Sequence, residues 1–184
     1  MVATKLHDDF YERIKPRLYQ RIGRELRLAY RVLDLGCGAC ELAQYLSRAY
    51  GQKVTGVDIC ADGFPKPTKR AQRIRCICKD AARLTFIQNE AIDAVILFWA
   101  LHEMKNVPAI LREAHRVLRP GGKVLVVEFP RNSLASTLWN ENYFARKALT
   151  GFLRKAGFKN IQAERIEQKQ VLWVTGFRSK NTSL

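Results

Sequence analysis

The residues best placed for chemistry are three aspartates, each standing where an apolar run gives out. Asp34 comes just before the turn Gly36-Cys37-Gly38, Asp58 ends the run 53–58, and Asp80 follows the run 74–79. Glycines in such a turn let the backbone bend sharply and let a ligand approach where a Cβ would block it. The helix that follows presents free amide groups beside them. A strand, a Gly-x-Gly turn and a helix serve several nucleotide-binding families, so the neighbouring residues decide. Where a dinucleotide site has its third glycine, this chain has Glu41. Asp34 and Glu41 together would repel a pyrophosphate at short range, whereas an ammonium or sulfonium would be welcome. An acid about twenty residues past the turn, here Asp58, suits ribose hydroxyls.

The elements that must hold these groups follow from the hydrophobic pattern. Val32, Leu33 and Leu35 read as a parallel strand buried on both faces. Leu42, Tyr45, Leu46 and Ala49 make one helix face that Gly51 ends. Residues 61–73, with Gly63, Pro65 and Pro67, predict a loop or broken helix. Residues 91–98 read as a fourth strand, with Trp99 to Met104 projecting from its end, where open parallel sheets bind ligands. An amphipathic helix over 107–118 ends at Arg119-Pro120-Gly121-Gly122, and a fifth strand runs over 123–129. A helix over 145–156 leads to a closing antiparallel pair around 158–161 and 170–176. Ahead of the first strand, Phe10, Tyr11, Ile14, Leu18, Ile22 and Leu26 lie at helical spacing, a segment expected to be interrupted near Pro16.

The glycine loop, the acids after the first three strands and the phrase Arg116-Val117-Leu118-Arg119-Pro120-Gly121-Gly122 together resemble the class I S-adenosylmethionine-dependent methyltransferases over residues 32–177. The resemblance around residues 116–129 extends to quinone-ring carbon methyltransferases, although this chain is shorter. It implies an α/β, three-layer Rossmann-like methyltransferase fold with a mostly parallel seven-stranded sheet whose last strand is antiparallel. It also implies S-adenosylmethionine as cofactor, held by Asp34, Gly36, Cys37, Gly38, Asp58, Ile59, Asp80, Ala81 and Phe98. In that family the glycine loop holds the methionine part, the Asp58-like acid the ribose and the Asp80-like acid the adenine amine. Residues 1–29 would pack as a helical segment over the cofactor cleft, 30–178 would form the methyltransferase domain and 179–184 a flexible tail.

Methyl transfer is an in-line displacement, so positioning matters most and a base is needed only for a protonated acceptor. His102 is the candidate base, with Glu103 behind it, and a structural role for His102 is the alternative reading. Tyr11, Trp99, Phe129, Trp139 and Tyr143 are the candidate acceptor pocket, with core packing the alternative for each. The short connection from Pro130 to Phe144 predicts an open site. An Asn/Asp-Pro-Pro-aromatic motif and a Pro-Cys nucleophile are both missing, which disfavours methylation of exocyclic base nitrogens and of pyrimidine carbon. The acceptor is expected to be a small molecule. A cofactor-binding or RNA-docking subunit without catalysis and an RNA methyltransferase are the alternatives; Glu41 opposes a nicotinamide oxidoreductase.

Thirty-two Lys and Arg against 17 Asp and Glu give a formal charge of +15. Such a charge favours anionic partners, RNA among them. The basic residues recur along the chain, so a field around the whole molecule is as good a reading as one patch. With 184 residues and no long apolar run, one cytoplasmic domain with no membrane span is expected. Five cysteines at 37, 40, 60, 76 and 78 do not suggest a disulfide framework. No metal site is expected from Cys37-x-x-Cys40 and Cys76-x-Cys78. One reading has Cys40 and Cys60 meeting at the cleft to take a soft acceptor such as a metalloid; the alternative is that both are small buried residues.

Overall fold

A computed structural model describes residues 9–66 and 73–180. Seven strands, β1 (Arg31–Leu35), β2 (Lys53–Asp58), β3 (Ile74–Cys78), β4 (Ile92–Phe98), β5 (Leu118–Glu128), β6 (Lys159–Ile166) and β7 (Val171–Phe177), form one sheet in the order β3-β2-β1-β4-β5-β7-β6. The first five run parallel and β7 is reversed against both β5 and β6. The order turns back between β1 and β4, and such a switch point opens a crevice beyond the strands' C-terminal ends. The apolar strands explain why both faces must be covered: β1, β4 and β7 are buried almost throughout.

On one face lie α1 (Phe10–Glu25), α2 (Glu41–Tyr50) and the short α4 (Leu134–Leu138); on the other lie α3 (Val107–Val117) and α5 (Arg146–Lys155). Helix α1 is continuous through Pro16, contrary to the expected interruption. A proline inside a helix costs about 3 kcal/mol, but α1 buries Phe10, Tyr11, Ile14, Leu18 and Ile22, each contributing roughly 1.5–3 kcal/mol. The burial outweighs the lost hydrogen bond. Gly51 ends α2 in the left-handed region (φ +69°), as read from the sequence.

Strand β5 is longer than expected. Leu118 to Gly122 belong to it, pairing Leu118 with Ile92 before a register shift, where the Pro-Gly-Gly phrase predicts only a turn. The β3–β4 connection carries no helix, and the stretch 67–72 of the segment read as loop or broken helix lies outside the described residues, as does most of the tail 179–184. Among the described residues no helix is long and apolar enough to cross a membrane.

Candidate active site

Strand β1 ends in the glycine turn at the switch point. Gly36 has φ +73°, and a Cβ on it would lie 2.4 Å from Ala100 Cβ and 2.8 Å from Met104 Cε. Only glycine fits there, because both the dihedral and the space exclude a side chain. Gly38 also has positive φ (+48°), yet nothing lies within 4 Å of its Cβ position, so that side faces open space. The turn is tied down by Gly36 N–H to Val57 O (2.8 Å) and by Gly38 N–H to Asp58 Oδ2 (2.8 Å).

A cleft of about 200 Å³ opens over this turn, lined by Lys15, Tyr19, Asp34, Glu41, Phe98 and Trp99 besides the loop itself. Asp34 is buried, and its Oδ2 has no hydrogen-bond partner among the described residues. Burial, and then the charge of Asp58, push its carboxyl up to about 7. An orphaned acid in a cleft wall is a receptor for a cation, which would restore the solvation that folding removed. Glu41 is occupied by Lys15 (2.7 Å), which lowers its pKa, so Asp34 rather than Glu41 is the free acid of the site.

Asp58 and Asp80 stand on neighbouring strand ends, outside the enclosed part of the cleft. Asp58 accepts from the Gly38 and Cys60 amides (2.8 and 3.1 Å) and Asp80 Oδ1 accepts from Ala82 N–H (2.8 Å). Ile59 between them is 78% exposed, an apolar surface beside two acids, and Ala81 is buried. Phe98 lines the cleft and stacks on Trp99 with centroids 4.4 Å apart. Cys37 turns its sulfur inward, 3.4 Å from Cys40 Sγ, and burial, with Asp34 and Asp58 behind it, raises its thiol far above the usual range.

The cysteines correct the sequence reading in one respect, because Cys40 and Cys76 are joined as a disulfide. Gly56 on β2 makes the room. A Cβ there would fall 2.8 Å from Cys37 Sγ and 3.0 Å from Cys40 Sγ. Cys40 therefore turns to Cys76 and not to Cys60, which is exposed.

The five aromatics singled out for an acceptor pocket do come together, as a packed cluster. Tyr11 meets Trp99, Phe129 and Trp139, and Phe129 meets Trp99 and Tyr143, at centroid distances of 4.9–5.9 Å. Tyr11, Phe129 and Tyr143 are buried, whereas Trp139 is 47% exposed. The connection 130–144 is thus not an open edge. Its α4 folds back over the cluster, and Tyr11 Oη accepts from Ala135 N–H (3.0 Å). Trp99 is the unusual member: its φ is +51°, rare for a bulky residue, and its buried indole Nε1 has no partner among the described residues.

His102, on a short 3-10 turn (Leu101–Glu103), donates through Nδ1 to Glu128 Oε1 at 2.8 Å, while its backbone N–H reaches Glu128 Oε2 at 3.1 Å. Glu141 and Glu103 lie 3.5 and 3.7 Å from Nε2. Burial disfavours the charged ring, but the hydrogen bond and charge of Glu128, then Glu103 and Glu141, outweigh it and raise the His102 pKa. Glu128 and Glu141 were not singled out in the sequence. The signal for Glu128 was available, since a carboxylate closing the apolar run 124–127 must be matched inside the fold.

A doubly wound sheet with a glycine turn, a bare acid and further acids at the switch point defines a class of nucleotide-cofactor-binding domains. The model of the family described as "Methyltransferase domain" matches residues 33–126, and the chain belongs to that family, the class I S-adenosylmethionine-dependent methyltransferases. A 2-phytyl-1,4-naphtoquinone methyltransferase of Nostoc punctiforme is 35% identical over 109 residues, 55% of this chain and 47% of that protein. A ubiquinone/menaquinone biosynthesis C-methyltransferase of Pseudomonas putida is 34% identical over 152 residues, 74% of this chain and 58% of its own length. The chain spans about half the length of the curated relatives it matches. The crystal structure of the cyclase SpnF superposes with a TM-score of 0.75 at 20% identity, covering 90% of this chain and 82% of that one. That likeness carries the fold and nothing of the reaction.

Proposed function

We propose that the chain transfers the methyl group of S-adenosylmethionine to a small molecule with a planar ring. The observation that carries the reading is the unpartnered Oδ2 of buried Asp34 in the wall of the glycine-turn cleft. When bound, S-adenosylmethionine supplies an electrophilic methyl group that an acceptor lone pair displaces in line. Asp34 faces its cationic end, Asp58 takes the ribose hydroxyls, Asp80 takes the adenine amine, and the exposed Ile59 offers the adenine an apolar surface. Phe98 and Trp99 flank the sulfonium, where ring faces attract cations. The family, and the quinone methyltransferases among the relatives, support a small aromatic acceptor that enters beside Trp99 by parting the cluster of Tyr11, Phe129, Trp139 and Tyr143.

His102 receives the acceptor's proton on Nε2. Glu128 orients the ring and is a positioning residue, and because it favours the imidazolium, His102 serves as a base only above its raised pKa. The test begins with calorimetric titration by S-adenosylhomocysteine. Micromolar binding is expected for the native chain, with at least tenfold weaker binding for Asp58→Ala; equal affinities would refute the site. Turnover of a reduced 1,4-naphthoquinone then tests the acceptor class, separately from cofactor binding.

A further inference from the structure

We propose that the N-terminal ends of β1, β2 and β3, opposite the cofactor cleft, form a second binding site, and that it takes a single-stranded polynucleotide. A parallel crossover normally lays a helix on the sheet, but residues 79–91 form turns only, and the face beside β2 and β3 is left as a trough of about 390 Å³. Its rim is Arg31, Lys53, Arg73 and Arg75, all exposed, and its lining contains no carboxylate. None of the four forms an ion pair among the described residues, although carboxylates hold Arg116, Arg119, Lys123 and Arg178 nearby.

A separate hollow of about 530 Å³ holds Arg24 and Arg27, unpaired among the described residues, but its lining also contains Glu25 and Asp93, which pair with Lys123 and Arg119. Strand registry keeps the rim groups at one end, with Arg31 opposite Lys53 and Thr55 opposite Arg75. These cations lie at the opposite strand ends from the acids of the cleft. Four unpaired cations around one trough can engage successive phosphates of a strand, whereas a single compact anion would engage only two or three of them.

Two aromatics choose the kind of strand. Phe86, 37% exposed, is part of the trough wall, and Tyr30, 56% exposed, directly precedes Arg31 of its rim. Ring faces between cations are the arrangement on which unpaired bases stack. A duplex would hide its bases from them. A flat bilayer cannot enter a trough to reach Phe86, although the exposed Leu28 (85%) beside Tyr30 is the kind of side chain a bilayer would use.

The experiment is fluorescence anisotropy of labelled oligouridylate, and of oligothymidylate of equal length, about twelve nucleotides, titrated with the full chain at several salt concentrations. Lys53→Glu/Arg75→Glu should weaken oligouridylate binding at least tenfold near 0.1 M salt and flatten the log–log salt slope by about 1.4, two contacts at 0.7 each. Lys147→Glu, an exposed charge reversal at the start of α5, should change it less than threefold, and Phe86→Ala should weaken it without altering the slope. Thermal melts check that the variants fold. Equal binding of RNA and DNA makes the site one for either strand; a preference assigns it to the tighter. Equal losses in the Lys53/Arg75 and Lys147 variants would overturn the proposal, as would binding only to phosphatidylserine vesicles.

Discussion

The two ends of the sheet use charge in opposite ways. At the C-terminal ends of the parallel strands the acids are buried or hydrogen-bonded: Asp34 lies wholly inside, Asp58 and Asp80 cap turns, and Glu128 is sealed behind His102. At the other end Arg31, Lys53 and Arg75 begin or enter strands with their side chains in water. A charge held away from water interacts strongly and selectively with what enters beside it, whereas an exposed one acts over a range that salt screens. The first kind of charge suits the reaction proposed for one end, the second the attraction proposed for the other.

The sharpest way to break the reactive end is through its backbone. Gly36→Val should destabilise the fold by about 3 kcal/mol or more, by combining left-handed strain with a clash at Ala100, and should abolish S-adenosylhomocysteine binding. Gly38→Ala, with open space at its Cβ, should cost about 1 kcal/mol; chemical denaturation compares the two.

Glu128→Gln should lower turnover about a hundredfold while leaving cofactor affinity intact. The pH profile separates positioning from mere packing. With its pKa raised in the fold, native His102 gains its free base above the ordinary histidine range, so the rate should rise through that raised pKa, and the rise should move toward lower pH in the variant. The stability contributed by the pair follows the same sign: it is fully present below the unfolded histidine's pKa of about 6.5 and is lost as pH rises through the folded value.

Asp34→Asn should weaken S-adenosylhomocysteine about tenfold near pH 8, yet stabilise the free protein by about 1–3 kcal/mol, since a buried unpaired charge is removed. Because the folded carboxyl titrates at about 7 against about 4 unfolded, the folded state binds the proton more tightly. Its contribution to stability is thus complete below pH 4 and is lost as pH rises through 7. Native cofactor affinity should fall on acidification through the same range, and the variant's should not. The smallest effect belongs to the other end: Lys53→Glu/Arg75→Glu should leave S-adenosylhomocysteine affinity within about twofold, since exposed charges beyond a Debye length are largely screened. A larger change would erase the division between the two ends.

Periodicity and turn chemistry made most of this fold legible. The glycine turn after β1, the Gly51 stop of α2 and the reversed β7 are local patterns of apolar runs and left-handed glycines, which a chain carries regardless of what surrounds it. Pro16 misled because its cost is local while the burial that overrides it involves the whole face of the sheet. The extension of β5 through Leu118–Gly122 was hidden because pairing with Ile92 depends on another segment.

What the sequence determined by itself was the class of cofactor, through residues that act where they stand: two glycines, and acids at the ends of successive strands. Only the tertiary structure decided which carboxylate is free, since Glu41 meets Lys15 from a different helix while Asp34 Oδ2 has no partner among the described residues. It alone joined Glu128 to His102, 26 positions apart, and folded α4 over the aromatic cluster. Those contacts join segments distant in the chain, and their energies depend on burial, which no local pattern records.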